Sequence, residues 1–335
     1  MQAEVDILEN DIREQYPEVL DILLRDHTTQ KNIFWATDNY QELGIDYQFS
    51  AQILPELITG ENGNVIMPRV KKDKEMQQSR VRGMAEVFTP SWICNAQNNL
   101  IDNAKFGREN VFNTEIQLPN GTNTWVVNQD KIIFPEHFNW KQYVRDRVLE
   151  ITCGEAPYIT SRYDTTTGEV IPIENRIGLL DRKLRVINEN VDNSGDWLDA
   201  AQIAYKSTYA YEWQGDSLLL AREAMLFTFI ENYTMKFGKE PLLKSIQYIA
   251  YIISWNVWQM DGLKCTVPKS CIDKKEESTD MFGEPFLMVV NQCEGCLKEN
   301  IYRHNGIYCI IKDWSNKDPK TGQKGRKLKF IDLLK

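Results

Sequence analysis

The chain has 335 residues, 42% of them hydrophobic and 11% aromatic, enough to bury a core in one large domain or two ordinary ones. Its net charge of −9 excludes a protein that coats nucleic acid through many phosphate contacts, although a local basic face or a basic partner subunit can still supply that attraction. No apolar run is long enough to span a bilayer, and the opening MQAEVDILEN is acidic without the apolar stretch of a secretory leader, so no membrane association and a cytoplasmic location are expected.

The first forty residues read as helix and then loop. EVDILENDIREQYPEVLDILLRD carries apolar residues at helical spacing, with Pro17 fit for the first turn of a second helix, and KNIFWATDNYQELG is aromatic and turn-like. Residues 60–80 are polar, a loop leading into a charged helix. In VRGMAEVFTPSWICNAQNNLIDNA, Pro90 suits a first helical turn. Asn120-Gly121 in LPNGTNTWVV is a hairpin signal, and a helix follows around Trp140 to Arg147. VLEITCG is a short apolar run stopping at Gly154, the pattern of a buried strand feeding a loop. Residues 160–195 form an insertion, with a hairpin near Thr167-Gly168 and then a polar segment. From 197 the pattern becomes helix, the short strand AYEW, a long helix over QGDSLLLAREAMLFTFIENYTMKF with Asp216 as its N-cap, a helix over LLKSIQYIAYIISW, and NVWQMDGL. Residues 269–285 read as a charged linker. The basic tail, with Lys317, Lys320, Lys324, Arg326, Lys327, Lys329 and Lys335, reads as a hairpin turning near Thr321-Gly322 or as a solvated tail.

The chemistry-bearing segments are EVFTP (86–90), EITCGEAPY (150–158), YEWQGDSLLLAR (211–222) and NVWQMDGL (256–263). A cofactor with a carboxylate, a ribose diol and an adenine needs three different contacts, which an α/β sheet offers at the ends of successive strands. Gly154 permits close backbone approach, Glu150 can contact a methionine end, Glu212 can accept from ribose hydroxyls, and Asp261 can accept from an adenine amino group. Each alone has a plainer reading: a turn glycine, a solvated strand end, and a turn aspartate.

In their order these segments resemble the gamma group of N6-adenine DNA methyltransferases of restriction–modification systems. Phe88-Thr89-Pro90 match that family's Phe-Thr-Pro motif without change; Glu150, Cys153 and Gly154 match its Asp-Pro-x-Cys-Gly-x-Gly in part, with Ile151 at the proline and Ala156 at the last glycine. IFWATDNY, ITCGEAPY, RIGLLDRKLRVINEN and ISWNVWQMDGL together look like restriction endonuclease subunit M proteins. The resemblance implies an α/β, Rossmann-like methyltransferase domain, its sheet incomplete, at residues 81–268 with the insertion at 160–195. An N-terminal helical region at 1–80 precedes it and a linker with a small Cys-containing hairpin module at 269–335 follows. It implies S-adenosylmethionine held by Phe88, Thr89, Pro90, Glu150, Cys153, Gly154, Glu212 and Asp261. The family's Asn-Pro-Pro-Tyr/Phe motif, which accepts from a flipped adenine and stacks on it, has no counterpart, since the sequence contains no Pro-Pro pair. The expectation is a split enzyme: this chain binds cofactor, and a second subunit supplies the catalytic motif and recognises the DNA target. The alternative is a non-catalytic DNA- or protein-binding component of a defence system on a degenerate methyltransferase fold. No catalytic residue is assigned to this chain.

Separately, Cys293-x-x-Cys296 is a knuckle spacing. With His304 and Cys309 downstream it can supply the four N/S ligands of a structural zinc, with Cys265 and Cys271 as alternatives. There is no phosphate-binding Gly-Lys-Ser/Thr loop and no His-x-x-x-His pair.

Overall fold

The structure, a computed structural model, describes residues 9–72, 89–279, 285–319, 321–322 and 324–334. Two short helices, α1 (Glu9–Gln15) and α2 (Val19–Leu24), open the described chain, and a one-turn α3 (Pro55–Ile58) follows the aromatic loop. The long α4 (Ser91–Phe106) starts directly after Pro90, which stands at its N-cap. The Asn120-Gly121 turn closes the antiparallel hairpin of β1 (Asn113–Gln117) and β2 (Asn123–Val127), with Gly121 at φ 85°, where a side chain would be strained. Then come α5 (Trp140–Arg145), boxed by Asn139 and Gln142, and β3 (Val148–Glu150).

Two helices, α6 (Leu179–Asn190) and α7 (Ser194–Lys206), lead from β3 to β4 (Thr208–Glu212), and α8 (Gly215–Phe237) with α9 (Leu243–Asn256) lead on to β5 (Val257–Gln259). β3, β4 and β5 make a parallel three-stranded sheet in that order, registered Glu150 to Ala210 and Glu212 to Gln259. The parallel pairing follows from the helical crossovers, since a tight turn can join only antiparallel strands. The remaining elements are the antiparallel pair β6 (Lys274–Thr279) and β7 (Pro285–Asn291), the short α10 (Glu294–Leu297), and the antiparallel pair β8 (Ile310–Lys317) and β9 (Lys324–Lys329). The chain is therefore mixed α/β with small sheets. Among the described residues no helix is long and apolar enough to cross a membrane.

Three expectations are corrected. The stretch after Thr167-Gly168 is not simply polar: α6 buries Leu180, Leu184, Val186 and Ile187, and its Arg182 and Lys183 are buried as well, which disguises an inward face as a charged segment. The 269–285 linker contains β6. Asp216 is not the cap of α8. Gln214 holds that position, and Asp216 lies inside the helix, fully buried, accepting from the Tyr40 hydroxyl at 2.7 Å and pairing with Lys72 at 3.6 Å.

One apolar core gathers α1, α2 and the aromatic loop with α5 to α9, including Trp35, Trp197 and Phe229, all fully buried. A second, smaller core packs Tyr211, Trp258 and Met260 against Cys265, Cys309, Ile311, Phe330 and Ile331, joining the last strands to the sheet. Buried charge locks the helices in place. Arg182 on α6 donates to Asp102 at 2.6 Å, Asn95 at 2.9 Å and Asn99 at 2.8 Å, all on α4. Asn98 of α4 donates to the carbonyls of Tyr158 and Ile177. Helix α4 is thereby fixed beside the loop that leaves β3.

Gly215 begins α8 against the 33–36 segment, its N–H donating to the Trp35 carbonyl at 3.0 Å. A β-carbon there would lie 2.1 Å from the Phe34 carbonyl oxygen, a backbone atom with no freedom to yield. Gly215→Ala is expected to cost about 1–3 kcal/mol of stability. A denaturant melt checks it: an unchanged midpoint would mean that the 33–36 segment is not held against the helix.

Candidate functional site

The ends of β3 and β4 open into a cavity of about 830 Å3. Its floor is the strand ends and the loop after β3: Leu149, Glu150, Ile151, Thr152, Cys153 and Gly154. Glu212, Trp213, Gln214 and Ser217 form the side next to α8, and Thr89, Asn98 and Ile101 the side next to α4. This is the place where parallel α/β sheets hold ligands, because successive strands deliver loops to one edge.

The loop after β3 is tied to β4 from both ends. The Cys153 N–H donates to the Tyr211 carbonyl at 3.0 Å, and the Gly154 N–H donates to Glu212 Oε2 at 2.8 Å. Glu212 Oε1 accepts from the N–H groups of Trp213 at 2.8 Å and Gln214 at 3.2 Å. Burial raises the Glu212 carboxyl, and the backbone donors of Gly154, Gln214 and Trp213 oppose that rise. Within the loop, Thr152, Gly154 and Ala156 have φ values of 47°, 54° and 58°. All three lie in the left-handed region that glycine occupies most readily.

Glu150 is the electrostatic outlier. Its Oε1 accepts only a long bond from the Tyr158 N–H at 3.4 Å, and its Oε2 is sealed from solvent with no partner. Burial pushes this carboxyl up to about 8; the N–H groups of Tyr158 and Ile159 resist and the neighbouring Glu212 charge adds to the rise. At neutral pH Glu150 is therefore largely protonated, lining a cavity beside a second carboxyl. Burial also pushes the Cys153 thiol well above its ordinary value, so it is a packing group rather than a nucleophile.

Of the residues singled out from the sequence, Thr89, Glu150, Cys153, Gly154 and Glu212 meet at this cavity. Pro90 caps α4 and is not part of the lining, and Phe88 lies outside the described residues. Asp261 is also elsewhere: its side chain accepts from the Leu263 N–H at 3.1 Å and its carbonyl from Cys265 at 2.8 Å, so it closes the turn after β5. Trp213, Gln214, Ser217 and Tyr158 line the cavity without having been singled out. For the first three, the available signal was their adjacency to Glu212 at the start of a helix.

A second constellation lies in the C-terminal part. Cys271, Cys293, Cys296 and His304 place their ligand atoms within 4.8 Å of one another, an arrangement that can hold a metal ion. His304 Nδ1 stands 3.6 Å from each of the three sulfurs. The knuckle is built by α10, with Cys293 at its N-cap, and by the Gly295 N–H, which donates to the Arg303 carbonyl at 2.9 Å and draws His304 inward. A β-carbon on Gly295 would sit 2.6 Å from His304 N and Nδ1, so only glycine lets the imidazole approach. Although burial works against it, the N–H groups of Asn305 and Cys296, with His304, bring the Cys293 thiol down to about 6; partial burial and the neighbouring Cys293 and Cys296 push the half-buried Cys271 up to about 12. One thiolate is thus already favoured in the cluster. Cys309 is not the fourth member. It is fully buried in the second core with its sulfur 3.4 Å from the Gln259 carbonyl, and Cys271, the alternative, takes its place.

Comparison with family models, with curated proteins and with solved structures finds no match to this chain.

Proposed function

We propose that this chain is the S-adenosylmethionine-binding subunit of a split N6-adenine DNA methyltransferase, with a Rossmann-like methyltransferase domain at its centre. The observation that carries the reading is the cavity at the ends of β3 and β4, into which the cofactor-type residues of three separate segments converge: Thr89, then Glu150, Cys153 and Gly154, then Glu212. The residues fit such a ligand. A volume of about 830 Å3 is ample for a nucleoside with an amino-acid tail, and Glu150 and Glu212 put two carboxyl-bearing residues in its lining. Ala156, aligned with the family's last glycine, holds φ 58°, the backbone conformation for which a glycine is suited.

When bound, the cofactor supplies an activated methyl group. The chain's part is to hold and orient it: Glu212, fixed by three backbone donors, keeps one lone pair on Oε2 for a ribose hydroxyl, and Glu150 faces the charged end. The partner subunit, which brings the catalytic motif and the DNA target, has an obvious attachment point. Among the described residues β3 is an edge strand of the parallel sheet, and Leu149 and Ile151 beside the cavity are 45% and 62% exposed. An added strand there would cover both and complete the wall.

For the Cys271–Cys293–Cys296–His304 cluster we propose structural zinc. With Zn–S near 2.3 Å and Zn–N near 2.0 Å, a tetrahedral site has S···N edges of about 3.5 Å. The three edges at 3.6 Å match that spacing.

A second reading, a non-catalytic component on a degenerate fold, is favoured by Glu212 already accepting three backbone hydrogen bonds and by Asp261 serving a turn. Calorimetric titration of S-adenosylmethionine into the chain, alone and with the partner, separates the two. The methyltransferase reading expects one-site binding that weakens at least about tenfold in Glu212→Ala, the loss of a charge-assisted bond. Absence of binding in both samples of folded protein would establish the second reading.

A further inference from the structure

The basic C-terminal stretch is not a solvated tail. It folds into β8 and β9, which carry six lysines and arginines against one aspartate, in a chain of net charge −9. Lys312 and Lys327 sit directly opposite each other in the β8–β9 register. Like charges in that relation repel, and the arrangement calls for a compensating anion. Among the described residues no carboxylate is paired with either ammonium; Lys312 Nζ donates instead to the Tyr251 hydroxyl at 2.9 Å.

Instead, aromatic rings cradle the charges. Helix α9 presents Tyr248, Tyr251 and Trp255 at helical spacing along one stripe facing the hairpin, and Trp314 of β8 joins them by donating to Asn256 at 2.7 Å. Lys312 lies 4.5 Å from the Trp314 ring, 5.0 Å from Tyr251 and 5.2 Å from Trp255; Lys327 lies 5.2 Å from Trp255 on the same side. Lys206, from the end of α7, lies 5.0 Å from Tyr248 and 5.5 Å from Trp314. Such contacts hold cations in place without neutralising them. Behind Trp255, His27 stacks on the indole at 3.8 Å, and burial together with Arg222, Arg25, Lys312 and Lys327 brings it down to about 3, so it stays neutral beside the lysines. The acidic groups nearby are Asp313, next to Lys312 on β8 and paired with Arg147 at 3.4 Å, and Glu18 and Asp21, which line a recess with Arg25, His27 and Tyr251.

We propose that this lysine-and-aromatic face of β8, β9 and α9 is a docking surface for the phosphate backbone of nucleic acid, contacted by Lys206, Lys312 and Lys327. The anion it fits is extended and repetitive, because the three ammoniums are spread along a row of rings rather than converging on one point. The charged groups of the face are ammoniums, whose contacts to phosphate are electrostatic and independent of base sequence. The face meets the sheet where β4 begins, through the Tyr209 hydroxyl and the Lys312 carbonyl at 3.2 Å, whereas the cavity is where β4 ends. The inference therefore stands apart from the cofactor reading.

The test is fluorescence anisotropy of the full chain with a labelled duplex of mixed sequence and with a single strand of the same length. Neutralising three phosphates predicts an affinity that falls roughly 40-fold between about 50 and 200 mM salt. Lys206→Glu with Lys327→Glu is expected to weaken binding about tenfold or more and to flatten the salt dependence by about two phosphates. The milder pair Lys206→Gln with Lys327→Gln should show the same direction, with circular dichroism confirming the fold of both. Lys131→Glu with Lys298→Glu, the same charge change outside the face, should leave the affinity within about twofold. Equal loss in that control, or no salt-sensitive binding by the unaltered chain, overturns the proposal and leaves an acidic protein surface as the occupant to pursue. Binding of S-adenosylmethionine, measured on the same variants, should not change, so failure here and failure of the cofactor reading are read separately.

Discussion

Cys293→Ser is expected to abolish metal binding and to open the segment between residues 271 and 305 while leaving β3, β4 and β5 intact. The serine oxygen keeps the volume but not the thiolate, and Cys293 is the member of the cluster whose ionised form is most favoured, at about 6. The unaltered chain should carry about one zinc by elemental analysis, and the variant under about a tenth of that. In hydrogen exchange, protection should vanish at Gly295, bonded to the Arg303 carbonyl, and at Asn305, bonded to the Cys293 sulfur. It should persist at Cys309, whose N–H donates to the Cys265 carbonyl inside the second core. Stoichiometric absence of metal from folded, unaltered chain would sink the zinc assignment.

Cofactor affinity is expected to rise some tens of fold between about pH 6 and pH 8, and Glu150→Gln should flatten that rise. In the free chain, burial holds the Glu150 carboxyl at about 8, so it is mostly protonated at pH 6 and half ionised at pH 8. S-adenosylmethionine carries a permanent sulfonium cation, and a cation in the cavity favours the ionised carboxylate. Binding must then expel a proton when pH lies below 8, and the cost shrinks as pH climbs to that value. The fraction already ionised grows from about one in a hundred to about one half, which sets the size of the effect. Titration calorimetry in two buffers of different protonation enthalpy should count close to one proton released per cofactor near pH 7. An affinity independent of pH would show that Glu150 does not meet the charged end.

The elements that follow simple periodicities were legible in the sequence. The Asn120-Gly121 hairpin, the long α8 and the tail hairpin stand where residue pattern placed them, and the strand read over VLEITCG is there but ends at Glu150, with the loop already begun before Gly154. Helix α6 was hidden because Arg182 and Lys183 point inward, and a charge reads as solvent-facing until its partners are known. Those partners are Asp102, Asn95 and Asn99 for Arg182 and the oxygens of Asp146, Ser207 and Thr208 for Lys183, all distant in sequence. Five of the eight cofactor-type residues meet at one cavity because each stands at or just beyond a segment end, a position that strand order brings to one edge. Asp261 departs from them because its carboxylate satisfies the nearer N–H of Leu263. In the cysteine cluster, spacing alone could not choose between Cys271 and Cys309. Cys309 begins the strand segment that enters the second core, so packing claims it, whereas Cys271 precedes β6 and is only half-buried.

The order of the cluster along the chain has a topological consequence. Cys271 stands before β6 and Cys293 after β7, so the chain leaves the cluster, makes the whole β6–β7 excursion and returns to it. An ion bound there is a cross-link across a loop of some twenty residues, which by loop-closure entropy removes about 3 kcal/mol worth of unfolded freedom from that loop. The benefit is confined to what the loop encloses. The excursion can therefore come loose and reform with metal supply as a unit, while the rest of the chain experiences no change in its own connectivity.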